Sequence, residues 1–248
     1  MKQLQIALKK ITAVSALSSL MSIIIIQPSY GMNKDPMYIS SVKFEQLEYR
    51  FIDDDSAIVW QGNAYYGTDE WKVRFQSEAE FAVDADEFEA LENQLLYQFP
   101  VSTFFDAQFG LRYDSPTEQD NRLYGVAGIQ GLAPQWFEID INAFISEDGK
   151  ISGRLDADYE LLITNRLILT PTLEINIALS DDEAIGLGAG LQDIETGFRL
   201  SYDLIGRELV PYIGINYERQ FGQTADLSQL RGKADEIFST VIGVRLLF

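Results

Sequence analysis

The amino-acid sequence predicts an all-β fold, a transmembrane antiparallel up-and-down β-barrel of about twelve strands. Three observations predict it. Charges recur at every other position inside otherwise apolar segments, the segments reach 10 to 14 residues, and the connections between them alternate in length.

The first 31 residues stand apart from the fold. Lys2, Lys9 and Lys10 give a positively charged start, Ile11 to Ile26 an apolar stretch interrupted by Thr and Ser, and Ser29-Tyr30-Gly31 a small-x-small cleavage site. The stretch is short of the roughly 20 apolar residues that a spanning helix needs. A cleaved signal peptide over 1–31 is expected, then a short periplasmic segment over 32–42 and a barrel over 43–248. Removal of 1–31 takes three lysines and no acid, moving the net charge from −19 to −22. So acidic a chain excludes nucleic acid as a partner. Cysteine and histidine are both absent, which removes disulfides, thiol chemistry and imidazole bases together.

Strands are predicted near 43–51, 57–66, 70–83, 87–99, 102–113, 122–131, 135–146, 150–163, 166–179, 193–204, 209–221 and 238–248. The third shows the pattern most plainly: Trp71, Val73, Phe75, Ala79, Phe81 and Val83 fall on one face and Lys72, Arg74, Gln76, Glu78 and Glu80 on the other. The fifth sets Phe105, Ala107, Phe109, Leu111 and Tyr113 against Asp106, Gln108 and Arg112. The eighth sets Ile151, Leu155, Tyr159, Leu161 and Ile163 against Arg154, Asp156, Asp158 and Glu160, and the ninth sets six aliphatic residues against Glu174 and Asn176. In the fourth and sixth, glycines and mixed faces blur the alternation.

A soluble sandwich also alternates, but its strands are typically about 5 to 6 residues long, whereas a tilted membrane strand needs roughly 9 to 11. Aromatics such as Trp71, Phe81, Tyr97, Phe105, Tyr202 and Tyr217 sit near the ends of apolar faces, as an interfacial girdle requires. With a periplasmic start, connections such as 100–101, 132–134 and 164–165 fall inside, and 114–121, 180–192 and 222–237 fall outside. The last strand ends in Phe248 with Ile242, Val244 and Leu246 at alternate positions. It resembles the C-terminal signature read by the barrel assembly machinery of a Gram-negative outer membrane.

Several segments resemble one family more closely than the architecture requires. They are Phe44 to Tyr49 (FEQLEY), Ala64 to Gly67 (AYYG), Leu123 to Phe137 (LYGVAGIQGLAPQWF), Tyr159 to Leu169 (YELLITNRLIL) and Pro211 to Ala225 (PYIGINYERQFGQTA). Over roughly 42–248 the chain resembles the copper resistance protein B family. That resemblance implies an outer-membrane barrel working beside periplasmic copper-resistance proteins, a multicopper oxidase among them, with copper as its ion. Family members commonly carry a Met/His-rich N-terminal segment. Here 32–43 holds only Met32 and Met37.

Soft Cu(I) prefers Cys or Met and imidazole suits Cu(II), so a metal inside this barrel must be held by carboxylate, phenol or backbone oxygen. Outer-membrane lipases, acyltransferases and proteases resemble one another in using histidine as a base, and its absence argues against an enzyme. The lumen candidates are Glu48, Arg50, Arg74, Glu78, Glu80, Glu92, Asp106, Arg112, Glu138, Asp140, Arg154, Asp156, Asp158, Glu160, Glu174, Glu195, Arg199, Glu218 and Arg245. They read either as a carboxylate ladder for cations or as acids and arginines that pair and fill the barrel. Asp156, Asp158 and Glu160 lie on one face at i, i+2 and i+4, about 6.5 to 7 Å apart. With Met32 and Met37 they are the candidate metal ligands.

The outer connections carry 17 Asp/Glu and the inner ones four, a rim that suits either cation attraction or cation-bridged contact with lipopolysaccharide. Gly186-Leu187-Gly188-Ala189-Gly190 lacks the βαβ context of a nucleotide loop and reads as an outer loop. The expected function is copper binding and homeostasis at the outer membrane. The alternative is a general cation-selective pore or structural barrel without copper specificity.

Overall fold

The structure is a computed structural model that describes residues 37–53, 55–117 and 119–248. The expected signal peptide and Met32 lie outside the described residues. Thirteen strands form one sheet: β1 Ile39–Ile52, β2 Asp55–Gly67, β3 Lys72–Ala82, β4 Glu87–Pro100, β5 Phe105–Asp114, β6 Arg122–Ala133, β7 Phe137–Ser146, β8 Ile151–Asp158, β9 Leu161–Leu162, β10 Leu167–Ala178, β11 Gly190–Tyr202, β12 Leu209–Gln220 and β13 Glu236–Leu247. Every neighbour pairs antiparallel, and β1 pairs with β13, which closes the sheet. Closure leaves no edge, as a hydrocarbon environment demands.

Strands β8 and β9 are one stave. Asp158 pairs with Thr172 and Leu161 with Leu169, so the register runs on unchanged through Tyr159 and Glu160. The ladder lapses there because Pro171, opposite Tyr159, has no N–H to donate, although its carbonyl still accepts from Tyr159 N at 3.2 Å. The barrel therefore has twelve staves, and the predicted eighth strand is a single stave with a proline-made break.

Burial is inverted relative to a water-soluble protein. Leu95, Phe109, Leu111, Ile145 and Ile213 are all more than half exposed, while Arg50, Arg74, Glu92, Gln98 and Arg199 are buried. Along β4 the exposed Leu95 and Tyr97 alternate with the buried Gln94, Leu96 and Gln98, and the same alternation on the other strands points the apolar face outward to lipid and the polar face inward. The blurred alternation of β4 and β6 has a physical cause. Leu96, Tyr124 and Val126 point inward and pack with Phe144 as an apolar layer inside the lumen.

The turns at one end are short: 68–71, 101–104, 134–136, 163–166 and 203–208. The other end carries the long connections 115–121, 179–189 and 221–235, together with three tight ones at 53–54, 83–86 and 147–150. Asp53 and Asp86 take positive φ in two of those tight turns, a conformation Asp tolerates. In outer-membrane barrels the short-turn end is periplasmic.

The connection expected to be loop over 222–237 contains a helix, α1 Gly222–Leu230. Period-two reading does not register this segment, whose Ala, Leu and Gln content suits a helical turn. Thr224 on α1 is buried and accepts a hydrogen bond from Gly188 N at 3.0 Å, and Arg231 donates to Glu183 O at 2.9 Å. The glycine-rich 186–190 segment is thus an outer loop docked on α1. A Cβ at Gly188 would fall 2.5 Å from Gln223 Cβ, so the close approach requires glycine.

Candidate functional site

Alternation along each stave delivers the predicted charges to the lumen, and strand pairing decides which of them meet. The barrel seam is held by Glu48 on β1. Its carboxylate accepts from Arg50 Nε at 2.9 Å, from Arg199 Nε and Nη2 at 3.0 Å each, and from the Tyr212 hydroxyl at 3.0 Å. One buried anion with three donors ties β1 to β11 and β12, which is the arrangement in which a buried charge is tolerated.

Higher in the lumen, arginines cross the barrel. Arg154 on β8 reaches Glu92 on β4 at 3.0 Å and Glu78 on β3 at 3.1 Å, and its Nε lies 3.3 Å from Glu174 on β10. Arg112 meets the same Glu92 at 2.7 Å and Asp114 at 2.7 Å. Both guanidiniums lie over the Phe144 ring, at 4.6 Å for Arg112 and 5.8 Å for Arg154. The inward apolar layer is therefore the platform on which this charged layer rests. Arg50 bridges to Glu195 at 2.9 Å, and Arg74 reaches Asp140 at 2.9 Å, Asn63 at 2.7 Å and Gln130 at 2.8 Å.

Toward the short-turn end lies a cavity of about 510 Å³. A second, of about 270 Å³, adjoins it at the rim and shares Tyr65, Lys72, Thr103 and Asp106 with it. In the larger cavity wall, Glu138 stands directly opposite Asp158 and Asp140 opposite Asp156, a two-by-two patch of carboxylates on β7 and β8. Asp140 has Arg74. Among the described residues Glu138, Asp156 and Asp158 have no ion-pair partner, although each is within the lumen of a barrel rich in arginine.

The structure thus brings Asp156 and Asp158 to one cavity. Glu160 keeps to the same interior side but pairs with Arg245 at 2.8 Å and Arg207 at 3.3 Å. Met37 is exposed ahead of β1. Among the described residues no group of three His, Cys, Asp or Glu is arranged to hold a metal ion as placed. Sequence reasoning missed Thr170, Tyr212, Gln98 and Gln130 because it sought charges on the inward face. Their signal was available, since each alternates with outward apolar neighbours. Gln98 donates to Gln108 at 2.7 Å and to Gln130 at 2.9 Å, and Gln108 donates to Asp140 and Asn142 at 2.7 Å each.

The geometry can be set beside known proteins. The family described as copper resistance protein B precursor (CopB) matches residues 38–248. Copper resistance protein B of Escherichia coli is 38% identical over 207 residues, covering 84% of this chain and 69% of the relative. A copper resistance protein B homolog of Pseudomonas syringae pv. tomato is 34% identical over 204 residues, covering 82% and 68%. Among solved structures, the KdgM porin superposes with a TM-score of 0.52 at 14% identity, over 84% of this chain and 99% of that one. The NanC porin superposes with 0.53, also at 14% identity and with the same coverage. The two porins share the barrel fold at identities too low to carry more than that.

Proposed function

The chain belongs to the copper resistance protein B family of outer-membrane barrels, and from that premise we propose that it binds copper ions in its lumen and passes them across the outer membrane without catalysing a reaction. The observation that carries the reading is the surplus of carboxylate over guanidinium on the cavity wall. Among the described residues Glu138, Asp156 and Asp158 are acceptors with no cation of their own. A cleft lined by one sign of charge between low-dielectric walls concentrates the opposite ion.

The donors decide the oxidation state. The lumen offers carboxylate, amide, hydroxyl and phenol oxygen, which suit Cu(II) better than Cu(I). Asp156 and Asp158 are the lumen ligands in this proposal, with Glu160 at the inner mouth holding Arg245 and Arg207 in place. Met32 and Met37 are the thioethers that would meet Cu(I) on the periplasmic side. The 17 acids of the outer connections would draw cations to the other mouth and bridge to lipopolysaccharide through them. Phe248, whose backbone pairs with Val42 in the closing seam, would be read by the assembly machinery before that seam forms. A periplasmic multicopper oxidase is the proposed partner on the inner side.

The test is equilibrium dialysis of the refolded barrel against Cu(II) and Cu(I) separately, with an Asp156→Asn/Asp158→Asn/Glu160→Gln variant alongside. Saturable Cu(II) binding that the variant loses is the expected result. Uptake of Ca(II) and Cu(II) with equal affinity would support the second reading, a general cation-selective pore, which the oxygen-only lumen favours. No saturable binding of any ion would remove both.

A further inference from the structure

Five carboxylates stand directly opposite one another on five consecutive staves. Asp140 on β7 faces Asp156 on β8, Asp156 faces Glu174 on β10, Glu174 faces Glu195 on β11, and Glu195 faces Glu218 on β12. Like charges directly opposed across a sheet are destabilising, so a run of five is costly packing unless cations offset it. The staves tilt, and the row climbs with them. Asp140 is near the short-turn end of β7, and Glu218 is near the long-loop end of β12. The row therefore leads from the cavity, whose wall holds Asp140 and Asp156, to the opposite mouth.

Two further observations bear on what the row holds. Thr170 lines the same cavity and is only 2% exposed, yet its Oγ1 has no hydrogen-bond partner among the described residues. A buried hydroxyl turned to a cavity and left unpaired by the protein is placed to serve a ligand there. The other observation is Arg154. Its guanidinium already sits in the row as a cation, bonded to Glu174 and reaching across the lumen to Glu78 and Glu92. The cavity wall stops short of all four of these residues.

We propose that this row is a conduction path for oxygen-ligated metal cations, and that Arg154 is the built-in cation that closes it. A cation that enters the cavity past the Thr170 hydroxyl and is taken by Asp140 and Asp156 competes with the guanidinium for Glu174. Arg154 then withdraws onto Glu78 and Glu92, where the Phe144 ring supports it, and the path to Glu195 and Glu218 opens. The opposite wall carries a shorter row, Glu78, Glu92 and Asp114 directly opposed on β3 to β5, which Arg154 and Arg112 already fill. Arg50 on Glu195 is a second, weaker closure, since it keeps Glu48 as an alternative partner. The inference rests on reading the lumen as a cation compartment, and it does not depend on copper being the ion.

The experiment is conductance and zero-current potential of the full chain in planar bilayers under a potassium chloride gradient. Arg154→Gln is expected to raise conductance several-fold with a cation-selective potential, and Arg154→Lys to stay near the unaltered chain. Adding Asp156→Asn and Glu174→Gln to Arg154→Gln should then abolish the cation preference. Should Arg154→Gln not fold, Arg154→Gln/Glu92→Gln removes the cation and one of its partners together and reads the same path. Conductance unchanged in a folded Arg154 variant, or raised without cation preference, overturns the proposal. Copper dialysis is a separate readout: its failure removes copper as the cargo and leaves the row, while failure here leaves copper binding untouched.

Discussion

The lumen has two unlike walls, and their difference explains where ions would bind. On β2 to β6 the inward side is rich in amides, with Gln61, Asn63, Gln76, Gln94, Gln98, Gln108 and Gln130 set around the arginine-paired carboxylates Glu78, Glu92 and Asp114. On β7 to β12 it is rich in carboxylates, with Glu138, Asp140, Asp156, Asp158, Glu174, Glu195 and Glu218. An amide both donates and accepts, so a wall of amides can close its own hydrogen bonds. A carboxylate only accepts, so a wall of them needs protons, arginines or metal ions from elsewhere. The barrel supplies arginines to some members, Arg74 to Asp140, Arg154 to Glu174 and Arg50 to Glu195, and among the described residues leaves Glu138, Asp156, Asp158 and Glu218 without one.

That contrast can be broken in order of expected effect. The largest belongs to the layer joining the walls. Glu92→Ala removes the shared partner of Arg112 and Arg154 and should destabilise the barrel by about 3 to 5 kcal/mol, the usual cost of stranding a buried charge. Urea unfolding of the refolded barrel would read it, and a loss near zero would mean that the guanidiniums find water instead.

Next comes the ion itself. With free Cu(II) at a hundredfold excess over its dissociation constant, linkage stabilises a single-site barrel by about 2.7 kcal/mol. Thermal unfolding should show that gain in the unaltered chain and none in Asp156→Asn/Asp158→Asn.

A smaller loss is expected in the amide wall. Gln108→Leu strips donors from Asp140 and Asn142 and should cost about 1 to 3 kcal/mol by urea unfolding. The smallest effect has the opposite sign. Asp156→Asn relieves opposition to Asp140 and Glu174 and should leave stability unchanged or raise it by about 0.2 to 1 kcal/mol. A substitution that abolishes ion binding while stabilising the barrel would separate the carboxylate wall from the structural network.

Most of the barrel was legible in the sequence because alternation is a local property. Trp71 to Val83 declares its two faces without knowledge of any neighbour, and the strand count, the closing pair and the inward charges follow from repeating that reading. What was not legible depends on contacts between staves. Nothing near Tyr159 signals the break in its stave, because its cause is Pro171 on the next strand. The opposed carboxylates arise from register, which places Asp156 beside Glu174 across a turn. The helix over 222–230 escaped because its cue is helical propensity in a chain otherwise read at period two.

The candidate site was legible in part. Asp156 and Asp158 were found from their spacing and do share a cavity. Glu160 shares their face, but its partners Arg207 and Arg245 come from β13 and from the turn before β12, which no local pattern brings near. Glu138 and Thr170, on the flanking staves, complete the cavity wall for the same reason.

The most direct test of the account is electron paramagnetic resonance of Cu(II) added to the full refolded chain, compared with one variant in each wall. The account predicts an oxygen-ligated copper signal in the unaltered chain and in Gln98→Leu, and its loss in Glu138→Gln/Asp156→Asn/Asp158→Asn. A bound copper signal that survives neutralisation of the carboxylate wall would contradict it.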